Sequence, residues 1–591
     1  MNRLFFIISV CVLLFITSRQ LLPTDRRMFL AHDETQAARI QQFNLNIQQG
    51  KIPPRIAPDF SFGLGYPVFN YYAPFPYWVT QLFQLSGFGL INAMKLTYLL
   101  ALFIGFSGMY VFLRRFFFFY PSILGAFIYT TSPYIAVDIF VRGNIGETWI
   151  FALLPWALYL LITNSKKRLI ITAFVLSFLF TAHNILSLIS LGIIIVFISL
   201  LQKKILNIIS IASGLLLSSY FLIPAVFEIS FVQARSIATK TQYTDHFLCI
   251  SQIWTSVWGY AGSAPGCTTD GMSFMLGKIP ILLSISGMLL FLYTSYIHKP
   301  NKILQFIQKS IDNIVNFINQ IYPVIRTNIP LSSSEIQRIS LFMLALTLVS
   351  IFMTTYQSLW IWKLFEPILS LFQFPWRFLM FSLFGISFFS AFLLSNVSKY
   401  AQTAGALGLM IIIALLHAKY FQGNMISQEE FTNKYLSQKY IKQDVAYKVP
   451  EYIPTHVNYD AWKKAEKQPS DIRTSDIAVK SKDNTQLEVQ NTPFSKIFMA
   501  KASKPLVANI HYAPYWKITV DGVSFIPTKF DSFGRPLIDV KANDFSTIQI
   551  NYEQTDTEIF ANLMTIISSG ILIAFTAKQF ASSWSTIIKK T

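Results

Sequence analysis

The feature that most constrains this chain is a succession of long apolar runs separated by short polar breaks. Residues 91–113, 278–297 and 559–577 each approach the length a helix needs to cross the hydrocarbon core of a bilayer, roughly 20 residues. Hydrophobic residues make up 53% of the chain and charged residues 13%, more apolar surface than a soluble protein of this size needs. An α-helical polytopic membrane protein is therefore expected. Shorter runs bring the count to about twelve spans: 4–22, 91–113, 117–137, 146–161, 169–182, 185–201, 205–223, 278–297, 339–355, a tenth ending near 396, 401–417 and 559–577.

A net charge of +19 would ordinarily point to nucleic acid, but its placement points to topology. Arg114-Arg115, Lys166-Lys167-Arg168, Lys203-Lys204, Lys399 and Lys589-Lys590 stand in short clusters between apolar runs, as the positive-inside rule predicts. Both termini then lie in the cytoplasm. Arg26 and Arg27 oppose that orientation and are outvoted. No small-x-small cleavage site follows the first run, so it reads as an uncleaved anchor. Between spans eight and nine, Ile303, Ile307, Ile311, Ile314 and Ile318 suggest a helix lying on the inner leaflet. No zinc-spaced Cys/His cluster, phosphate-binding glycine loop or serine nucleophile elbow is present. Cys249 and Cys267 share one outer loop; a disulfide and two free thiols are both open readings.

The breaks divide the chain into a transmembrane domain over 1–421, with outer loops at 23–90, 224–277 and 356–376, a β-rich domain over 422–557, and a final helix with its tail over 558–591. Period-two alternation at Leu487-Glu488-Val489 and Ile518-Thr519-Val520, with Asp521-Gly522 as a hairpin turn, suggests a sandwich-like fold on the outer side. In the first outer loop, Asp33-Glu34 precedes a helix over about 34–49 with Ala37, Ile40, Phe43 and Ile47 on one side. The aromatic run from Tyr66 to Trp78 has the composition of an interfacial belt.

In this topology the remaining ionisable groups collect at the outer ends of helices. Asp33 and Glu34 follow span one; Asp138, Arg142 and Glu147 stand between spans three and four; His183 and Asn184 between five and six; Arg377 opens span ten. Several such groups at one depth suggest a site, because each is costly near lipid. Each also has a plainer reading. Asp33 with Gln36 has the form of a capping box. Arg142 and Glu147 fit an interfacial salt bridge, His183 a hydrogen-bonded helix end, and Arg377 beside Trp376 a snorkelling cation.

The stretch HDETQAARI…GKIPPRIAPDFSFGLGYPVFNYYAPFPYW, with RGNIGE at 142–147, AHN at 182–184, FQFPWRF at 372–378 and YAPYWKITVDG at 512–522, resembles GT-C-type membrane glycosyltransferases. More closely, the chain resembles bacterial membrane proteins called 6-pyruvoyl-tetrahydropterin synthase-related; no residue here suggests pterin chemistry. The resemblance implies a plasma-membrane enzyme that moves a sugar from a polyprenyl-phosphate donor to a glycan or lipid acceptor at the outer face. It implies Asp33 as catalytic base, with Glu34 as substitute, where a clean Asp-Asp pair would be the family pattern. Arg142 and Arg377 suit the lipid phosphate, with Glu147, His183 and Asn184 beside them. A divalent cation (Mg or Mn) occurs in some GT-C members and is left open. Two rivals stand: a lipid-linked glycan transporter or flippase, which should show inverted repeats, and a non-enzymatic polysaccharide assembly protein.

Overall fold

The computed structural model describes residues 3–238, 242–296, 333–467, 479–480 and 486–588. The isoleucine-rich segment 303–318, Ile477-Ala478 and the terminal lysine pair 589–590 lie outside these. Helices occupy all twelve expected spans. Eight of them, among the described residues, are long and apolar enough to cross a membrane: Leu90–Leu113, Phe119–Arg142, Ile145–Ile162, Lys278–Ser295, Ser334–Thr354, Pro375–Ser395, Lys399–Tyr420 and Asp556–Phe575. A ninth is counted if Lys204–Leu217 and Ser219–Phe227, broken at Ser218, form one span. The helices Arg3–Ser18, Leu169–Phe180 and Asn184–Ser199 are shorter, at 16, 12 and 16 residues.

The chain forms two compact units that do not follow chain order. The first gathers Met1–Glu34, Phe83–Gly214 and Thr241–Ser427; the second gathers Thr35–Leu82, Leu215–Lys240 and Gln428–Thr591.

In the first unit the span Phe119–Arg142 is buried throughout and Ile145–Ile162 nearly so, so these two are central helices surrounded by others. Tyr129 stacks on Phe151 with ring centroids 4.1 Å apart and donates its hydroxyl to the Phe151 carbonyl at 3.0 Å. Strand β1 (Arg27–Leu30) pairs antiparallel with β2 (Asn424–Ser427), tying the segment after the first helix to the chain some 400 positions later. Lys95, fully buried, donates to the carbonyls of Asp25 and Arg27 and fixes the approach to β1. The loop 242–277 is closed by a disulfide between Cys249 and Cys267, whose Cα atoms are 5.5 Å apart, so the two-thiol alternative is set aside.

In the second unit the helix Gln36–Gln48 buries Ala37, Ile40 and Phe43, while Ile47 is half-exposed. Its N-cap is Thr35, and no side-chain cap hydrogen bond is made. The Gln36 amide oxygen accepts from the Tyr77 hydroxyl at 2.8 Å. The aromatic run also needs correction. Tyr66, Phe69, Tyr71 and Tyr77 are no more than 2% exposed, and Phe43 packs edge-on against Phe69 and Trp78. The run is core and not an interfacial belt.

The strand-rich part has two sheets. The five-stranded sheet runs β4 (Gln486–Asn491), β5 (Ser495–Ala500), β10 (Ser546–Tyr552), β7 (Trp516–Val520) and β8 (Val523–Phe525), all antiparallel. The second joins β3 (Val479–Lys480), β6 (Leu506–Ala508) and β9 (Leu537–Ile538). Burial alternates strictly along β10, and Phe498, Ile518, Ile548, Leu506 and Ile538 enter one core, so both sheets share it. Asp521 and Gly522 both take positive φ (52° and 79°), as the two-residue turn joining β7 and β8 requires.

Buried polar groups tie the last helix, Asp556–Ile588, to this unit. Arg55 donates to Asn70 Oδ1 at 3.1 Å, to the Tyr220 carbonyl at 2.6 Å and to Asn562 Oδ1 at 2.8 Å. Glu558 accepts from Asn70 Nδ2 at 2.5 Å and from the Thr555 amide at 3.0 Å. Glu228 accepts from the Thr555 hydroxyl, and burial, with Glu558 nearby, pushes its carboxyl up to about 7.

Candidate active site

The RGNIGE segment sits where one central helix ends and the next begins. Helix Pro133–Val137 passes into a π-helical turn, Asp138–Arg142, a local widening that recurs at functional sites. Gly143 stops it in the left-handed conformation (φ 66°). A Cβ there would fall 2.5 Å from the Cβ of Ala31, so only glycine lets the loop that carries Ala31 lie this close. Asn144 caps the following helix Ile145–Ile162 by accepting from the Glu147 amide at 3.0 Å. Gly146 serves a second approach: a Cβ there would lie 2.8 Å from the Ala182 carbonyl and 3.1 Å from the His183 ring. The two glycines thus bring the first loop and the AHN turn against one helix start.

Glu147 is the hub. It is fully buried and accepts from Arg142 through both terminal nitrogens, with Nη2 to Oε1 at 2.8 Å. Arg377 Nε donates to the same Oε1 at 2.8 Å, and Asn144 Nδ2 stands 3.2 Å from it. His183 Nε2 is 3.8 Å away, while its Nδ1 accepts from the amides of Ile185 and Leu186 at 3.3 Å and caps the helix Asn184–Ser199. Asn184 opens that helix, half-buried. Asp138 accepts from Arg142 as well. Two carboxylates therefore face two guanidiniums, and the cluster is charge-balanced.

Arg377 does not snorkel. It is 7% exposed, donates Nη1 to the Phe372 carbonyl at 2.8 Å and lies 4.9 Å from the Phe374 ring. The FQFPWRF run holds it through an unusual backbone: Gln373 has φ 58°, and Phe374 is extended, as a residue before proline prefers. Trp376 lies under the Arg142 guanidinium at 4.3 Å. Its indole N–H donates to Ser263 Oγ at 3.2 Å, and that hydroxyl is 2.9 Å from His246 Nδ1. Burial pushes the His246 imidazole below its ordinary value.

The acidic loop reaches the same place. The backbone N–H groups of His32 and Asp33 donate to the carbonyls of Val141 and Arg142 at 2.9 and 2.8 Å, and His32 Nε2 lies 2.9 Å from the Tyr260 carbonyl. Asp33 and Glu34 are half-buried. Arg142, Glu147, His183 and Arg377 are thus brought into one cluster, with the Asp33 backbone bonded to it. Asp138, one of the ionisable groups expected at this depth, joins the site, as do Asn144, Trp376 and His246, to which the sequence pattern assigned no role in it. Asp138 stands one helical turn before Arg142, a spacing visible in the sequence; the others come from folding.

Among the described residues no three His, Cys, Asp or Glu side chains stand together as a metal would need. The two buried carboxylates are engaged by guanidiniums, so this donor set does not fit a resident divalent cation.

Residues 69–259 match the 6-pyruvoyl-tetrahydropterin synthase related domain, described as a membrane protein. That is a membrane-protein family. Among solved structures the chain is similar to the arabinofuranosyltransferase AftD from Mycobacteria, with 11% identity and a TM-score of 0.39. The match covers 71% of this chain and 28% of that one, so the chain spans under a third of that protein's length. No curated protein matches.

Proposed function

We propose that this chain is a membrane glycosyltransferase that moves a sugar from a polyprenyl-phosphate donor to an envelope glycan or lipid acceptor at the outer face of a bacterial plasma membrane. One observation carries the reading: Arg142, Arg377, Glu147 and His183 meet at one buried point, and the backbone of Asp33 is bonded to it. In the reaction the acceptor hydroxyl attacks the anomeric carbon and gives its proton to the Asp33 carboxylate. The bond from that carbon to the phosphate oxygen breaks, and the lipid phosphate leaves with the electron pair. Guanidinium N–H groups of Arg142 and Arg377 not engaged by Glu147 or Asp138 take up the growing negative charge. Glu147 holds both guanidiniums in position and is too committed to act as the base. The purified chain, supplied with polyprenyl-phosphate sugars and a glycan acceptor, should transfer sugar, and Asp33→Asn should lose transfer while remaining folded. Full transfer by Asp33→Asn rejects Asp33 as base.

A second reading, a non-enzymatic assembly protein, is favoured by the charge balance itself. A cluster that neutralises its own guanidiniums also serves as a structural cross-link. No sugar transfer from any polyprenyl-phosphate donor, with glycan binding retained, would decide for it.

A further inference from the structure

The loop 242–277 is built as a closed clasp. Cys249 stands just before the short helix Ile250–Trp254, and its partner Cys267 lies in a hairpin. The hairpin's arms meet through the Ala261 amide to the Gly271 carbonyl and the Gly271 amide to the Gly262 carbonyl, both at 2.9 Å. A Cβ on Gly271 would fall 2.3 Å from the Cβ of Ala261, so the arms close only with glycine there. Asp270 ties the hairpin to the helix: it accepts from Gln252 Nε2 and from the Ala264 amide, the latter at 2.8 Å. Two points of the clasp touch the site. The Tyr260 carbonyl lies 2.9 Å from His32 Nε2, next to Asp33, and the Tyr260 hydroxyl donates to the Gln422 carbonyl at 3.0 Å, just ahead of β2. The Ser263 hydroxyl accepts from the Trp376 indole at 3.2 Å and bridges to His246 Nδ1 at 2.9 Å. His246 in turn packs edge-on against Phe374, with ring centroids 4.7 Å apart.

We propose that this clasp positions the site, with Ser263 as its positioning residue, and that the hold depends on the oxidised state of Cys249 and Cys267. An indole has a single N–H, and the direction of that bond sets the plane of the ring. Ser263 fixes that direction, and with it the face that Trp376 turns to the Arg142 guanidinium at 4.3 Å. Without the bond Arg142 keeps Glu147 and Asp138 but loses the flat surface that sets its own plane. From the other arm, Tyr260 holds His32, whose backbone N–H and that of Asp33 are bonded to Val141 and Arg142. The cross-link serves both contacts, because Tyr260 and Ser263 lie between the two cysteines it joins. A dithiol reductant gives the disulfide two electrons and two protons; the S–S bond breaks, two thiols form, and the dithiol becomes the disulfide. The hairpin then regains the conformational freedom that the cross-link removed, and both contacts loosen together. This rests on the proposed reaction only in taking Asp33 and Arg142 as its working groups; the contacts themselves stand without it.

The test uses the full-length chain in detergent, with 15N-labelled tryptophan. The indole N–H resonance absent from Trp376→Phe is that of Trp376. Ser263→Ala should move this resonance and speed its exchange with water about fivefold or more, the loss of one hydrogen bond. Ser263→Thr, which keeps the hydroxyl, should restore both, as a merely space-filling role would not require. In parallel, hydrogen exchange read by mass spectrometry follows the amides of His32 and Asp33 before and after treatment with dithiothreitol, with the two new thiols counted by alkylation. Exchange about fivefold or more faster is expected on reduction, and Cys249→Ser with Cys267→Ser should match the reduced protein. Neither readout needs a sugar donor or acceptor, so a failed clasp is told apart from a failed reaction. A Trp376 resonance that is the same in Ser263→Ala and the parent, or that Ser263→Thr does not restore, overturns the role of Ser263. Amides of His32 and Asp33 that exchange no faster once the pair is reduced overturn the coupling. Reduction is applied to protein already folded, so it decides the matter even where a variant does not fold.

Discussion

Replacing Glu147 with Gln isolates what the buried cluster contributes. The amide keeps the shape of the side chain and loses the charge. Arg142 then loses a carboxylate bound through both terminal nitrogens, and Arg377 loses its only carboxylate partner among the described residues. The cluster moves from formal balance to a buried net charge of +1, with Asp138 the one carboxylate left in it. Breaking a buried ion pair by removing one partner costs about 3–5 kcal/mol. The retained amide oxygen still accepts one hydrogen bond and Asp138 still faces Arg142, so the lower end, about 3 kcal/mol, is expected. For a unit of this size that corresponds to a fall in thermal midpoint of about 4 °C, read by tryptophan fluorescence in detergent. Glu147→Gln combined with Arg377→Gln should lose less than the sum of the two single variants, with a coupling of about 1–3 kcal/mol. An unchanged midpoint in Glu147→Gln, or strict additivity in the double variant, would refute the claim that Glu147 joins these helices.

Three further outcomes follow from particular contacts. Gly146→Ala drives a methyl group toward the Ala182 carbonyl, 2.8 Å from the new Cβ, and should cost about 1–3 kcal/mol of stability and displace the AHN turn, measured by thermal unfolding and by reduced sugar transfer. Glu228 is protonated more readily folded than unfolded, about 7 against 4.5, so its contribution to stability is fully present below pH 4.5 and is lost as pH rises through about 7; melting followed from pH 5 to 8 should show this decline, and Glu228→Gln should flatten it. Cys249 and Cys267, 18 positions apart, should appear as one cross-linked peptide by mass spectrometry, and their joint replacement by Ser should cost about 2–4 kcal/mol, with Cys11 left as the only thiol to alkylate without reduction.

Much of the membrane architecture was legible because an apolar run reports its own burial: each expected span contains a helix, from Leu90–Leu113 to Asp556–Phe575. The gathering of Arg142, Glu147, His183 and Arg377 was legible in part, since each stands at the end of an apolar run in the sequence. The aromatic run at Tyr66–Tyr77 was misread because composition does not distinguish an interface from a core; its burial depends on Phe43 and neighbouring rings meeting it after folding. Charge balance was hidden as well. Two arginines look like free phosphate donors in a sequence, and only their common partner Glu147 shows how much of their charge is committed.

The most direct test of the central claim is mass spectrometry of envelope glycans from cells carrying the intact gene, no gene, or the gene encoding Asp33→Asn. The account predicts that one monosaccharide branch disappears without the gene and stays absent with Asp33→Asn, although that protein reaches the membrane at normal levels. Identical glycans in all three strains, or full restoration by Asp33→Asn, would contradict it.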